Sequence, residues 1–324
     1  MDIPVTPLAG PLDPGAQRLV DAALAAAAPG LEKGTPETAR TSFRESRKAL
    51  APLRQEVAVV HTIDRNGPRP ALRIYRAWGT RAEDSLAALL FFHSGGWVSG
   101  GLDTHDNACR AIANAAGCAV IAVDYALAPE HPFPAATEDA VAAYSYLIQE
   151  ADAIGLDRDQ IAVGGDSAGA NIAAVLTLLL RDTQHPAPCG QVLLYPATTF
   201  VTETPSRQEF RNGPTLNGAA LDWFAAQYLP NVATRADWRA SPLLAKSLAG
   251  LPRAYVATCG HDPLRDEGIA YADKLRRESV TVEHRHFPGQ IHGFLTMGGV
   301  MPETTVLIGE TAAALKKMFM GPTR

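Results

Sequence analysis

The sequence predicts an α/β fold: a mixed, mostly parallel sheet of eight strands flanked by helices. From about residue 55, short apolar runs alternate with longer helix-like segments, which is the pattern of βαβ units and a parallel sheet. The first two runs have only residues 64–70 between them, which suits a hairpin and not a crossover. A chain of 324 residues is long enough for one such domain with insertions. We therefore expect a sheet that is antiparallel at its start and parallel afterwards.

Each element is predicted from its own apolar pattern, taken in chain order. The candidate strands cover residues 57–61, 71–77, 87–92, 118–124, 161–164, 191–195, 253–259 and 281–287. The candidate helices cover residues 104–116, 135–150, 168–181, 265–278 and 303–318.

Two regions do not fit this alternation. Residues 1–50 precede the first strand and are helical and polar in pattern, with proline and glycine interruptions. Residues from about 197 to 248 form a long insert between two strands, and its helix-like stretch at 217–228 carries Trp223, Phe224 and Tyr228. Long inserts in compact domains usually carry function. The predicted division is residues 51–324 as the α/β domain, with residues 1–50 and the insert added to it.

Composition excludes some classes of partner and location. The formal net charge of −5 leaves no basic surplus to neutralise phosphates, so we expect no nucleic-acid partner. No run approaches the ~18 apolar residues of a membrane span, and no cationic segment precedes an apolar core near the start. We therefore expect no membrane insertion and a cytoplasmic location. The four cysteines have neither CxxC nor metal-ligand spacing, and buried free thiols are the preferred interpretation over disulfides: Cys109, Cys118, Cys189 and Cys259.

The stretch GDSAG at residues 165–169 matches the G-x-S-x-G pattern of a nucleophile elbow, with Ser167 as the nucleophile. A candidate strand leads in and a candidate helix leads out, and the small flanking residues let the backbone turn sharply. Such a serine lies at a helix N-terminus, where backbone N–H groups favour developing negative charge. The alternative is a glycine-rich turn with an incidental serine, because the pattern also arises by chance. The flanking strand and helix favour the nucleophile.

A second glycine-rich segment, FFHSGGW at residues 91–97, follows the third candidate strand and leads into a loop. A loop of this composition can turn backbone N–H groups toward a carbonyl oxygen as it becomes an oxyanion. The alternative is a flexible surface loop, and this segment alone does not decide between them.

Four segments together resemble the bacterial hormone-sensitive-lipase-like esterases (family IV) of the α/β-hydrolase superfamily. HSGGW at 93–97 is similar to that family's HGGG loop, DYALAPEHPFPA at 124–135 to its DYRLAPEHPFPA segment, and GDSAGAN at 165–171 to its GDSAGGN block. DPLRDEG at 262–268 is similar to the family's DPLRDEG block. The similarity spans roughly residues 55–298, in the family's order. It implies the α/β-hydrolase fold, with a helical cap formed by residues 1–50 and the insert at about 197–248.

The resemblance implies that the oxyanion hole is formed by the N–H groups of Gly95, Gly96 and Ala168. Ser94 replaces the usual first glycine of the loop, which leaves these donors intact and puts the loop's conformation in question. By the same resemblance, His93 is a structural residue of the loop and not a catalytic base.

The acid is expected among the residues that follow candidate strand 253–259. The family order is serine, acid, histidine, and Asp262 follows the strand directly. Asp266 and Glu267 open the next helix, where negative charge is favourable without a catalytic role. We therefore expect Asp262 to orient the catalytic histidine.

The expected base is His292, in a glycine-flanked loop after the last candidate strand. His284 and His286 alternate within that strand and are interpreted as packing or surface residues. His292 would take the proton of Ser167 and return it to the leaving alcohol.

The resemblance implies a serine carboxylesterase that hydrolyses short- to medium-chain esters through an acyl-enzyme. Its partner is a small-molecule ester, it needs no metal and no organic cofactor, and a homodimer remains open. Trp97 is the aromatic residue best placed to bind substrate, whereas Phe43, Trp223 and Phe224 either line a pocket or attach the cap to the core. The alternatives are a non-catalytic small-molecule receptor on the same fold, which His292 disfavours, or a true lipase, amidase or deacetylase.

Overall fold

The computed structural model describes residues 9–26, 30, 33–67 and 69–321. Its strands are β1 (Val59–Ile63), β2 (Ala71–Arg76), β3 (Leu86–Phe92), β4 (Ala119–Asp124), β5 (Leu156–Asp166), β6 (Gln191–Leu194), β7 (Ala254–His261) and β8 (Val282–Ile291). They form one sheet in the order β1-β2-β4-β3-β5-β6-β7-β8. The pairs β1–β2 and β2–β4 are antiparallel, and all other neighbouring strands are parallel. The predicted fold class, sheet size and change of strand direction are confirmed.

Helices cover both faces of this sheet. In the described residues they are α1 (Pro14–Ala26), α2 (Pro36–Leu50), α3 (Asp106–Ala116), α4 (Ala135–Glu150), α5 (Ala168–Asp182), α6 (Pro205–Glu209), α7 (Gly218–Tyr228), α8 (Arg265–Arg277) and α9 (Glu303–Phe319). Side chains of α3 and α9 pack on one face, and those of α4, α5 and α8 on the other. Strand β3 is apolar throughout for this reason: Leu89 and Phe91 pack on the first face, and Leu90 and Phe92 on the second.

Several strand boundaries differ from prediction, most of all the start of β5 and the end of β8. Pairing of β1 with β2 begins at Val59, two residues later than expected. Strand β5 begins at Leu156, because that residue pairs with Leu86 although residues 157–160 are polar. Strand β8 continues to Ile291 through Pro288 and Gly289, residues that weaken a strand pattern. His292 therefore follows the strand directly.

Two polar anchors attach the regions outside the alternation to the sheet domain. On α2, Arg40 donates from Nε to the Val98 carbonyl at 2.8 Å and from Nη2 to the Ala128 carbonyl at 2.9 Å. On α5, buried Asn171 donates from Nδ2 to the carbonyls of Ala197 and Ala240, at 2.9 and 2.8 Å. The first anchor fixes α2 beside residues 94–99, and the second fastens both ends of the insert to the helix that follows Ser167.

All four cysteines are free thiols, and all but Cys189 are buried. This confirms the preferred interpretation of their spacing. None of the helices in the described part of the chain has the length and apolar character required to cross a membrane.

Candidate active site

Three predicted site residues meet at the carboxyl edge of the parallel strands. Ser167 follows β5, Asp262 follows β7, and His292 follows β8. Loops after parallel strands lie at the same edge of a sheet, which is where open α/β folds place their ligands. The fold thus assembles side chains that are 125 and 30 residues apart in the chain.

Ser167 lies in a strained turn between β5 and α5. Its backbone has φ 57° and ψ −117°, a conformation that residues other than glycine rarely adopt. A Cβ atom on either Gly165 or Gly169 would collide with the carbonyl oxygen of Phe92. The Ser167 N–H donates to the Leu194 carbonyl at 2.8 Å, which holds the turn against β6. The glycines of the motif are therefore required because the end of β3 passes close to the turn and to the start of α5.

A continuous chain of hydrogen bonds joins the three side chains. Ser167 Oγ lies 2.8 Å from His292 Nε2, and the hydroxyl donates to that nitrogen. His292 Nδ1 lies 2.8 Å from Asp262 Oδ2 and donates to it. The other carboxylate oxygen, Oδ1, accepts from the Leu264 N–H at 2.8 Å, and Asp262 is fully buried. This geometry allows the imidazole to accept the serine proton while the carboxylate fixes its tautomer and orientation.

The other two acidic candidates serve different contacts. Asp266 accepts from the N–H of Ser206 at 2.7 Å, and Glu267 accepts from the N–H of Thr198 at 2.6 Å. Both carboxylates therefore hold the insert against α8. The structure brings Asp262 to His292 and leaves Asp266 and Glu267 away from it.

The loop at residues 95–97 turns with three successive positive φ angles: 123° at Gly95, 60° at Gly96 and 60° at Trp97. The Gly95 carbonyl accepts from the N–H groups of Val98 and Ser99, so it points back into the loop. In the described chain, the N–H groups of Gly95 and Gly96 donate to no other residue. Both glycines border the same cavity as Ser167.

Ala168 is the third expected donor. It is the first residue of α5, so its N–H has no partner within the helix. The free N–H groups of Gly95 and Gly96 give the cavity two donors suited to a developing negative charge, and the N–H of Ala168, next to Ser167 in the chain, is the expected third.

A buried polar network, which the sequence did not predict, lies under the loop. His105 Nε2 is 3.2 Å from Ser94 Oγ and 3.1 Å from Asp166 Oδ1, and Tyr195 donates its hydroxyl to Asp166 Oδ2 at 3.2 Å. Burial acts to raise the pKa of Asp166, but the charge and hydrogen bond of His105, together with the hydrogen bond of Ser94, hold it below its ordinary value. Ser94 thus links the oxyanion loop to the carboxylate that precedes the nucleophile.

His93 is a structural residue of the loop, in agreement with its interpretation from sequence. It is buried, its Nδ1 donates to the Ser94 carbonyl at 2.7 Å, and its ring stacks on Tyr125 at 4.2 Å. Burial, reinforced by the neighbouring His105, lowers the pKa of His93 to about 3, so the ring is neutral at neutral pH. In the described part of the chain it forms no hydrogen bond with Ser167.

The cavity in front of Ser167 has a volume of about 380 Å³, within the usual range for small-molecule sites. Of the four aromatic candidates, Trp97, Phe43 and Phe224 line it, whereas Trp223 packs edge-on against Phe224 with ring centres 5.2 Å apart. Trp97 is stacked on Tyr228 at 4.7 Å and is almost completely buried. The aromatic residues therefore divide between lining the cavity and packing, and Trp97 does both.

No group of three or more His, Cys, Asp or Glu side chains in the described ranges is arranged to hold a metal ion. The groups at the cavity that can exchange protons or donate hydrogen bonds are side chains and backbone N–H groups of the protein.

The sequence and the fold of this chain are similar to those of known proteins. A family model described as "alpha/beta hydrolase fold" matches residues 89–296. Carboxylic ester hydrolase LipN of Mycobacterium tuberculosis is 44% identical over 273 residues, which cover 80% of this chain and 72% of that protein. Ethyl acetate hydrolase of Pseudomonas putida is 37% identical over 271 residues, which cover 82% and 85%. The solved structure of the ester hydrolase EH1AB1 from the metagenome of Lake Arreo superposes with a TM-score of 0.91 at 39% identity, covering 95% of this chain and 99% of that one. The chain therefore belongs to the α/β-hydrolase family, in the hormone-sensitive-lipase-like branch that its motifs resemble.

Proposed function

We propose that the chain is a serine carboxylesterase that hydrolyses short- to medium-chain esters through an acyl-enzyme. The observation that carries the proposal is the hydrogen-bonded series Ser167–His292–Asp262, which opens onto a cavity with unpartnered backbone donors. The names of the relatives, which include a carboxylic ester hydrolase and an ethyl acetate hydrolase, support the same chemistry.

In the acylation step, Ser167 Oγ attacks the ester carbonyl carbon and its proton passes to His292 Nε2. The carbonyl oxygen becomes an oxyanion that accepts from the N–H groups of Gly95, Gly96 and Ala168, each worth roughly 3–4 kcal/mol in the transition state. The bond to the alcohol oxygen then breaks, and His292 gives the proton to that oxygen. Asp262 stabilises the imidazolium throughout.

In the deacylation step, a water molecule gives a proton to His292 and attacks the acyl carbon. The bond to Ser167 Oγ breaks, the serine regains the proton from His292, and the carboxylic acid leaves. Every step uses groups of the chain, the ester and water.

The proposed preference for short to medium chains rests on the enclosure of the cavity. Residues from both added regions border it, including Phe43 and Leu50 of α2 and Leu221 and Phe224 of α7. We propose that residues 1–50 and the insert at 197–248 form a helical cap over the site, and that Trp97 contacts substrate at the cavity wall.

Two further parts of the proposal concern the chain's surroundings. A cytoplasmic location is supported by the four free cysteines, because reducing compartments keep thiols unpaired. A homodimer stays a prediction, and sedimentation equilibrium of the full chain measures it directly.

The decisive experiment compares hydrolysis of 4-nitrophenyl esters from acetate to palmitate by the wild type and by Ser167→Ala. We expect the highest kcat/KM at short to medium acyl chains and a loss of at least ~1,000-fold in kcat for the variant. No hydrolysis by the wild type would favour a non-catalytic receptor, and the highest rate on emulsified palmitate would favour a lipase. Faster release of nitroaniline from the matched anilides would favour an amidase.

A further inference from the structure

The cavity contains a cationic side chain with which no carboxylate in the described part of the chain forms an ion pair. Arg47, on α2, lines the cavity, and its Nε is buried without a hydrogen-bond partner among the described residues. Its remaining polar contact within that part of the chain is a long one, 3.5 Å from Nη1 to Ser46 Oγ. The guanidinium carbon lies 4.5 Å above the centre of the Phe43 ring. A guanidinium has five donors, so most of those of Arg47 are available to a ligand.

Three other charged side chains at or near the cavity are already paired. Arg207 borders the same cavity and contacts Glu267 at 2.7 Å. The nearby carboxylates Asp166 and Asp262 each face a histidine, at 3.1 and 2.8 Å. Arg47 and Arg235 are different, because no described carboxylate forms an ion pair with either of them, and of the two it is Arg47 that lies beside Gly293.

The charged residues that line the cavity leave it positive. They are the arginines Arg47, Arg207 and Arg235 and one carboxylate, the exposed Asp222. Burial lowers the pKa of Arg47, which is the cost of holding a cation away from water, although Tyr195 and Asp166 act in the opposite direction. An anion bound beside the guanidinium would offset that cost.

The position of Arg47 decides which part of an ester it meets. Its Nη2 lies 3.3 Å from the point that a Cβ atom on Gly293 would occupy. Gly293 directly follows His292, the residue that must protonate the leaving oxygen. The alcohol part of the ester therefore lies on the His292 side of Ser167, which is also the side of Arg47.

We propose that Arg47 is a specificity-determining residue that binds a carboxylate on the alcohol part of the ester substrate. This inference rests on the proposed esterase function. The planar guanidinium matches a carboxylate in a two-point contact, and the partly enclosed cavity strengthens that contact. The preferred substrates are esters of hydroxy acids, in which the alcohol fragment carries the negative charge.

The test uses two isosteric pairs of substrates that differ in charge. The anionic esters are 3- and 4-acetoxybenzoate, and their neutral counterparts are 3- and 4-acetoxybenzamide. The readout is the ratio of kcat/KM for the anionic ester to that for the neutral ester, measured at constant ionic strength. Because every variant is compared on both substrates, differences in leaving-group reactivity cancel between the wild type and the variants.

Three variants accompany the wild type. Arg47→Met removes the charge at similar length, and we expect the ratio of the preferred isomer to fall about tenfold to a hundredfold. Arg47→Lys keeps a positive charge but lacks the planar guanidinium, so its ratio should lie between those of the wild type and Arg47→Met. Arg44→Met is the matched control: Arg44 is on the same helix but borders only a second cavity, which Arg47 also touches. We expect Arg44→Met to leave the ratio as in the wild type.

The outcomes separate this inference from the proposed function. Hydrolysis of the neutral esters with equal ratios in the wild type and Arg47→Met overturns the role of Arg47 and leaves the esterase function intact. An equal fall of the ratio in Arg44→Met and Arg47→Met places the anion in the second cavity and also overturns the inference. Absence of hydrolysis of all four esters overturns both.

A measurement on the wild type alone covers the case in which Arg47→Met does not fold. The products 4-hydroxybenzoate and 4-hydroxybenzamide are tested as competitive inhibitors of neutral-ester hydrolysis. Tighter inhibition by the benzoate, by about tenfold or more, supports the inference, and equal inhibition contradicts it.

Discussion

Ser94 is expected to stabilise the oxyanion loop, although the family motif that the loop resembles has glycine there. The residue is almost completely buried, and its hydroxyl lies 3.2 Å from His105 Nε2 in the network with Asp166. Its φ angle is outside the left-handed region in which Gly95 and Gly96 lie, so glycine is not required at this position. Two substitutions separate its contributions: Ser94→Ala removes the hydroxyl, and Ser94→Gly also frees the backbone.

The size of the effect follows from these contacts. Loss of one buried hydrogen bond lowers the free energy of unfolding by about 1–2 kcal/mol, and His105 keeps Asp166 as a partner, which favours the lower end. Glycine adds about 0.5–1 kcal/mol of conformational entropy in the unfolded chain. We therefore expect stability to decrease in the order wild type, Ser94→Ala, Ser94→Gly.

The assay combines urea unfolding with kcat for 4-nitrophenyl butyrate. Ser94 directly precedes Gly95 and Gly96, whose N–H groups are the expected oxyanion donors. We therefore expect kcat to fall about 3- to 30-fold in Ser94→Gly, which is less than the fall expected when one donor is lost completely. An unfolding free energy in Ser94→Gly equal to or above that of the wild type would refute the reasoning. So would an equal loss of stability in both variants, because the backbone would then contribute nothing.

Three further variants test other parts of the account. Asp262→Asn should lower kcat by about 1,000- to 10,000-fold while KM changes little, and a small loss would show that another group orients His292. Gly96→Ala should lower kcat/KM by at least about 100-fold, because the φ angle of 60° disfavours alanine and the added methyl group would collide with the Phe224 ring; wild-type activity would contradict this. The folded pKa of His93, about 3, lies below its ordinary value of 6.5, so its contribution to stability is present above pH 6.5 and is lost as the pH falls toward 3. We measure the free energy of unfolding in urea between pH 6.5 and 4. Its change with pH should be smaller in His93→Asn than in the wild type, by up to about 1.4 kcal/mol per pH unit. An equal change in both proteins would assign the pH dependence to other groups.

The parts that sequence predicted are those with a local pattern. Apolar runs mark the central strands β3, β4, β6 and β7, because helices cover both faces there and these strands are buried on both sides, whereas the edge strands β1 and β8 are partly exposed. The elbow at Ser167 was identifiable because its glycines stand beside it in the chain, where the end of β3 crowds the backbone. Asp262 and His292 were found through their order after the serine and their place at strand ends.

The parts that sequence missed depend on contacts between distant segments. His105 meets Asp166 and Ser94 only after β3, α3 and β5 come together, and a single histidine near a helix start has no pattern that announces this. The lack of a carboxylate beside Arg47 likewise depends on residues distant in the chain. The sequence of α2 has the pattern of an ordinary polar helix and gives no sign of it. The extension of β8 through Pro288 and Gly289 follows from pairing with β7 and not from local preference.

Covalent trapping tests the central claim most directly. In the proposed mechanism, diethyl 4-nitrophenyl phosphate reacts with the activated serine: Ser167 Oγ attacks phosphorus and 4-nitrophenolate leaves. We expect one diethylphosphoryl group per chain, found by peptide mass spectrometry on Ser167, with release of an equal amount of 4-nitrophenolate and complete loss of ester hydrolysis. Modification at another residue, or full phosphorylation of Ser167 with ester hydrolysis retained, would contradict the assignment of Ser167 as the nucleophile.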